Sequence, residues 1–124
     1  MKDTRPKNLN LLTIRQPIPA IISILHRISG VVLFLLIPLM LWALGYSLQS
    51  QENFQDIHDM FTSTSGKTIT LLCIAAFLYH FVAGIRHLLM DMEIGVELKS
   101  GRFTAMLTLV VSLLLTVLAG IYIW

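Results

Sequence analysis

The chain has 124 residues, of which 56% are hydrophobic and only 13% charged, with a formal net charge of +2. That balance lies outside the range of soluble globular domains, and so small an excess of basic residues excludes a charge-driven nucleic-acid binder. A single cysteine, Cys73, excludes an internal disulfide and any iron–sulfur cluster ligated by this chain alone.

The chain opens with a basic arm, residues 1–18, carrying Lys2, Arg5, Lys7 and Arg15. Pro17 and Pro19 push the residues before them out of the α region, so the arm is expected to be extended or to lie at the interface. Helix 1 is expected over about 19–48, because Ile28 to Gln51 contains no Asp, Glu, Lys or Arg and is long enough to cross ~30 Å of hydrocarbon. Pro38 lies inside it, cannot donate to the carbonyl of Phe34, and predicts a kink. The run "ALG" at Ala43 to Gly45 resembles a signal cleavage site, but the apolar run exceeds the ~7 to 15 residues of a signal core, so it is read as a retained anchor. At the start of this helix Ser23, His26 and Arg27 stand at i, i+3 and i+4 and share a face.

An outer loop follows over about 49–66, "QSQENFQDIHDMFTSTSG", with a short amphipathic turn around Phe54 to Phe61 and a solvated His58 among carboxylates. Helix 2 is expected over about 67–91, a second loop over about 92–102, and helix 3 over about 103–124. In helix 3 Thr104, Thr108, Ser112, Thr116 and Gly120 recur every fourth residue, the pattern of a close-packing face in lipid. Lys and Arg concentrate in the arm and around the second loop (Arg86, Lys99, Arg102), whereas the segment between the first two spans holds Glu52, Asp56 and Asp59 and only Lys67. The positive-inside rule therefore places the N-terminus in the cytoplasm and the C-terminus in the periplasm, with Tyr46, Tyr122 and Trp124 forming an outer aromatic belt. The fold class is all-α integral membrane, with three transmembrane helices.

Helix 2 raises the chemical question, because "LLCIAAFLYHFVAGIRHLLMD" puts His80, Arg86 and His87 in an apolar span. Ionisable groups there are costly and face the bundle interior. At 100° per residue, Cys73, Ala76, Gly84, His87 and Asp91 all fall within about 40° of His80, a narrow stripe of small and polar side chains. Arg86 lies about 120° away and is expected to snorkel to the headgroups. His80 sits near mid-span, and His87 is about 10.5 Å nearer the cytoplasm. Haem b suits such a stripe: a neutral imidazole binds iron and the propionates lie nearer the interface, with Ala76 and Gly84 leaving room for the macrocycle. A histidine hydrogen-bonded to a neighbouring helix explains the spacing equally well. A single histidine also leaves one iron position to His26 or to another subunit. Beside it, Ser23 and Arg27 offer a hydroxyl and a cation of the kind a quinone headgroup needs, or else simply bond backbone and headgroups.

The strings "RPKNLNLLTIRQPIPAIISILHRISG" and "YHFVAGIRHLLMD" closely resemble the cytochrome b membrane-anchor subunits of bacterial succinate dehydrogenase, complex II, over nearly the whole chain. Pro19 departs from the pattern and bears on where helix 1 starts. The resemblance implies a place in a heteromeric helix bundle in the bacterial inner membrane, with a second small membrane-anchor subunit, and docking to an iron–sulfur subunit and a flavoprotein subunit on the cytoplasmic side. It implies that His80 is one axial ligand of a haem b shared with the partner anchor. It implies also that Ser23 and Arg27 contribute to a ubiquinone pocket and that His26 and Arg27 lie near the haem propionates. Geometry adds His87 as a further propionate neighbour. The chain alone carries no catalytic residue; its role would be to help pass electrons from succinate to quinone. A quinol:fumarate reductase anchor, or a small non-enzymatic membrane protein, are the competing readings.

This orientation is checked by single cysteines. Those replacing Thr4 and Glu97 should react only with reagent admitted to the cytoplasm, and one replacing Gln55 only from outside; labelling at position 4 in intact cells would reverse the topology.

Overall fold

The computed structural model describes residues 16–124, so the predicted arm up to Arg15 lies outside the described residues. The described chain forms four helices, α1 (Ile18–Ser47), α2 (Gln51–Thr62), α3 (Thr64–Asp91) and α4 (Leu98–Ile123). Three of them, α1, α3 and α4, are long and apolar enough to cross a membrane. They correspond to the expected helices 1, 2 and 3. α3 is the central member, packing chiefly on α4 and then on α1, while α1 and α4 touch less.

The helices begin where the local chemistry dictates. Pro19 stands in the first turn of α1, where a missing N–H costs nothing, after an extended Pro17. α2 starts at Ser50, whose hydroxyl accepts from the Asn53 N–H, and α3 starts at Ser63, whose hydroxyl accepts from the Gly66 N–H. The outer connection is therefore a full helix of 12 residues and not the loop with one turn that its polarity suggested. Ser63 closes α2 and opens α3, so α3 begins three residues earlier than expected. The Tyr46 hydroxyl donates to Asp56, and the Asn53 amide to the Tyr46 carbonyl, pinning α2 to the end of α1. His58 is exposed, as expected, and its hydrogen bond with that of Gln55 holds the Asp59 carboxyl below its ordinary range.

At the opposite end α3 closes with the Ile94 N–H on the Leu89 carbonyl and the Glu93 N–H on the Met90 carbonyl, around a left-handed Glu93 (φ 61°). This turn lets α4 begin at Leu98, five residues before the charge-free run.

The helix-packing face of α4 is the one its periodicity announced. Gly101, Ala105, Thr108 and Ser112 are buried, and Thr108, Ser112 and Thr116 each donate to the carbonyl four residues back. The three hydroxyls thus need no partner from another helix, and the face can close tightly. Arg86 does not snorkel. It is buried, with its Nε donating to Thr104 Oγ1 at 3.2 Å and its Nη2 to the Gly101 carbonyl at 3.2 Å. The angle of about 120° from the histidine stripe points it at α4, where a glycine and a threonine supply space and acceptors. Only Ile22, Ala83 and Ala105 are fully buried apolar residues among those described, so most of the apolar surface faces outward, toward lipid or other subunits.

Two glycines provide a paired test of this packing. A Cβ on Gly66 would overlap the Met60 carbonyl at the α2–α3 corner, whereas one on Gly45 meets nothing within 4 Å. Gly66→Ala should therefore lower the thermal stability of the detergent-purified protein by about 2 kcal/mol or more. Gly45→Ala should leave it unchanged or raise it by about 0.5–1 kcal/mol.

Candidate functional site

The α1–α3 interface gathers three of the residues picked out in the sequence. His26, on α1, stacks between two histidines of α3: its ring lies 4.2 Å from that of His80 at 17° and 4.7 Å from that of His87 at 19°. The helical spacing explains the array, since His80 and His87 are two turns apart on one face and a single ring from α1 fits between them.

Each ring has a different hydrogen-bonding state. His80 Nδ1 is 3.1 Å from the His26 carbonyl and 3.0 Å from Ser29 Oγ. A carbonyl can only accept, so Nδ1 carries the proton, and in the neutral ring Nε2 keeps its lone pair. His87 Nδ1 donates to the Ala83 carbonyl, one turn back on its own helix, at 2.7 Å. His26 Nε2 is buried and has no partner among the described residues.

Two glycines permit the array. A Cβ on Gly30 of α1 would stand 3.0 Å from His80 Cε1, and one on Gly84 of α3 would stand 3.5 Å from His26 Nε2. Gly84, expected with Ala76 to leave room for a macrocycle, lies against the His26 ring, and the glycine against the His80 ring is Gly30. Tyr79 adds a cross-link that sequence reasoning missed, its hydroxyl donating to the Ile22 carbonyl at 2.8 Å. Ser29 and Gly30 were missed as well. Their signal was their position in "HRISG", three and four residues after His26, on the same face.

His80 and Gly30 also line a lateral groove of about 710 Å³ between α1 and α3, continued by Phe34, Ile37, Cys73 and Phe77. Its lining is almost wholly apolar, and its volume lies in the range of sites for large organic ligands. Cys73 is part-buried and lines this wall. Ser23 and Arg27 lie toward the N-terminal end of α1, on the turn before His26 and just after it; Ser23 is part-buried and the Arg27 side chain is exposed. His58 stands apart on α2, at the other end of the bundle.

These residues fit a haem. An imidazole with Nδ1–H tied to the backbone and Nε2 free is the form that binds iron, and the same hydrogen bond orients the ring. The partnerless His26 Nε2 provides a polar atom for an acidic substituent, and the apolar groove suits a macrocycle edge. No three of the described His, Cys, Asp and Glu residues gather into a metal cage.

Comparison with known proteins gives a consistent result. Residues 1–119 match the family described as succinate dehydrogenase/fumarate reductase transmembrane subunit. The chain is similar to the succinate dehydrogenase cytochrome b556 subunit of Coxiella burnetii, 42% identical over 125 residues and covering 100% of both chains. It is similar also to the proteins of the same name from Rickettsia prowazekii, 32% identical over 92% of this chain and 89% of the relative, and from Paracoccus denitrificans, 32% identical over 94% and 90%. Together with three membrane-spanning helices and an intramembrane histidine array, this shows that the chain belongs to the succinate dehydrogenase/fumarate reductase transmembrane subunit family, the cytochrome b anchors of complex II.

Proposed function

We propose that this chain supplies one axial ligand of a haem b and one wall of a ubiquinone site in a succinate:quinone oxidoreductase. The observation that carries the reading is the contact of His80 Nδ1 with the His26 carbonyl: with Nδ1–H engaged there, the Nε2 of the neutral ring is left as a metal-binding lone pair beside an apolar groove. One such histidine from this chain leaves the second axial position to the second small membrane-anchor subunit. When bound, haem b supplies a one-electron redox centre within the bilayer.

The chain's own groups then have distinct tasks. His26, through its partnerless Nε2, and Arg27, on the adjoining residue, would hold the propionates. His87 has its Nδ1–H committed to Ala83, so it can donate to a propionate only as an imidazolium. The Ser23 hydroxyl can donate to a quinone carbonyl. The Arg27 guanidinium, one turn after Ser23 on the same helix, would stabilise negative charge as it develops on that headgroup, before protons complete the quinol. Succinate oxidation and the flavin and iron–sulfur chemistry belong to the flavoprotein and iron–sulfur subunits, which would dock on the cytoplasmic side.

That side is proposed to be the end carrying the start of α1, with the C-terminus in the periplasm, in the inner membrane. Arg86 is buried and no longer counts as a headgroup-facing cation, but Lys99 and Arg102 still border the same end, against Glu52, Asp56 and Asp59 at the other. The names of the relatives favour succinate oxidation over fumarate reduction as the working direction.

Spectra of purified complexes test the ligand. His80→Leu should turn a low-spin haem high-spin or lose it, whereas His58→Ala should leave the spectrum unchanged; a low-spin bis-histidine spectrum in His80→Leu would mean that another histidine binds iron.

Paired turnover tests the quinone site. Ser23→Ala should weaken quinone binding and rate by roughly 0.5–1.5 kcal/mol, the range of a neutral hydrogen bond. Arg27→Leu should lower the maximal rate by about tenfold and affect binding less, because its attraction grows with the developing charge. Both should keep succinate oxidation by an artificial acceptor that takes electrons upstream of the membrane. A parallel fall in both activities would assign the two residues to assembly instead.

A further inference from the structure

Ser29 is buried within α1, and its hydroxyl donates to the His26 carbonyl three residues back at 2.8 Å. That bond alone satisfies a serine in lipid. It leaves the oxygen lone pairs unused, and the same oxygen stands 3.0 Å from Nδ1 of His80, 51 residues away in the chain. Because the His26 carbonyl, 3.1 Å from that nitrogen, requires a proton on Nδ1, the Ser29 oxygen can only be a second acceptor for it. Two acceptors from one turn of α1 therefore converge on one N–H of α3. The next residue, Gly30, brings the α1 backbone against the edge of the same ring.

We propose that Ser29 is a positioning residue for the haem ligand His80: with the His26 carbonyl it holds the proton on Nδ1, fixes the plane of the ring, and makes Nε2 a stronger donor to iron. This rests on the assignment of His80 as the axial ligand. The sign of the effect follows from charge. An imidazole whose N–H is held by acceptors gains basicity at the other nitrogen, which favours the more highly charged ferric iron over the ferrous. Ser29 thus lowers the haem potential, and removing its oxygen raises it. A serine that merely satisfied itself on the His26 carbonyl would have neither effect.

The test uses the intact purified complex, with potentiometric titration of the haem bands and EPR of the oxidised haem, in Ser29→Ala, Ser29→Thr, Ser29→Cys and His80→Leu. Ser29→Ala should stay low-spin but with altered g anisotropy, reporting a rotated ring. Its ratio of reduced to oxidised haem at fixed applied potential should rise by up to about tenfold, which is 59 mV for one electron. Ser29→Thr keeps the hydroxyl and should restore both values; Ser29→Cys, a weaker acceptor, should fall between. Should the alanine variant fail to assemble, the difference between the cysteine and threonine variants carries the same information. Potentials and g values that are equal in the alanine or cysteine variant and the threonine variant overturn the proposal. If His80→Leu loses its low-spin haem while Ser29→Ala is unchanged, only the role of Ser29 is wrong. If His80→Leu keeps a bis-histidine spectrum, the ligand assignment fails and the role of Ser29 with it.

Discussion

Within the hydrocarbon of a bilayer there is no water to satisfy a buried polar group, so a polar side chain that enters the bundle is driven to find its partner on protein. That constraint organises this fold. His80 reaches the His26 carbonyl and Ser29 on α1, Tyr79 reaches the Ile22 carbonyl on α1, and Arg86 reaches the Gly101 carbonyl and Thr104 on α4. All three side chains leave α3, and between them they tie it to both neighbours. Apolar contact cannot do this work alone, since leucine against lipid is about as favourable as leucine against leucine.

The same constraint explains where the small residues fall. A long polar side chain can cross a helix interface only where the facing backbone comes close, and the facing positions here are glycines: Gly30 against His80, Gly84 against His26, and Gly101 beside Arg86. The hydroxyl residues of α4 follow a different logic. Thr108, Ser112 and Thr116 turn back on their own helix, so they contribute smoothness to the α3–α4 interface and no cross-link.

The two faces of α3 consequently differ in kind. Toward α4 it meets small residues, and Arg86 is held by Thr104 and the Gly101 carbonyl. Toward α1 it holds imidazoles with a free lone pair and an unpaired nitrogen, and it opens laterally into an apolar groove. One face is built to hold, and the other has unspent hydrogen-bonding and metal-binding capacity. A haem-bearing interface completed by a second anchor subunit is the proposal that uses this capacity, and the extensive outward apolar surface of the lone chain is in keeping with a member of a larger bundle.

Much of this was legible in the sequence because it depends on period and composition. Charge-free runs of about 20 residues need no tertiary information to be read as spans, and the fourfold spacing of Thr108, Ser112 and Gly120 declares a packing face wherever the partner lies. The shared face of His80 and His87 followed from 100° per residue alone. The polar segment after α1 was misread because local polarity does not distinguish a loop from a capped surface helix; Ser50 and Ser63 decided it. What tertiary structure alone decided was pairing across helices. A helical wheel says which way Arg86 points but not that a glycine carbonyl awaits it, and it cannot tell that His26 enters between His80 and His87. Nor can it show which nitrogen of His80 carries the proton. That depends on a carbonyl and a hydroxyl more than 50 residues away, and only the packing of α1 on α3 brings them within hydrogen-bonding distance.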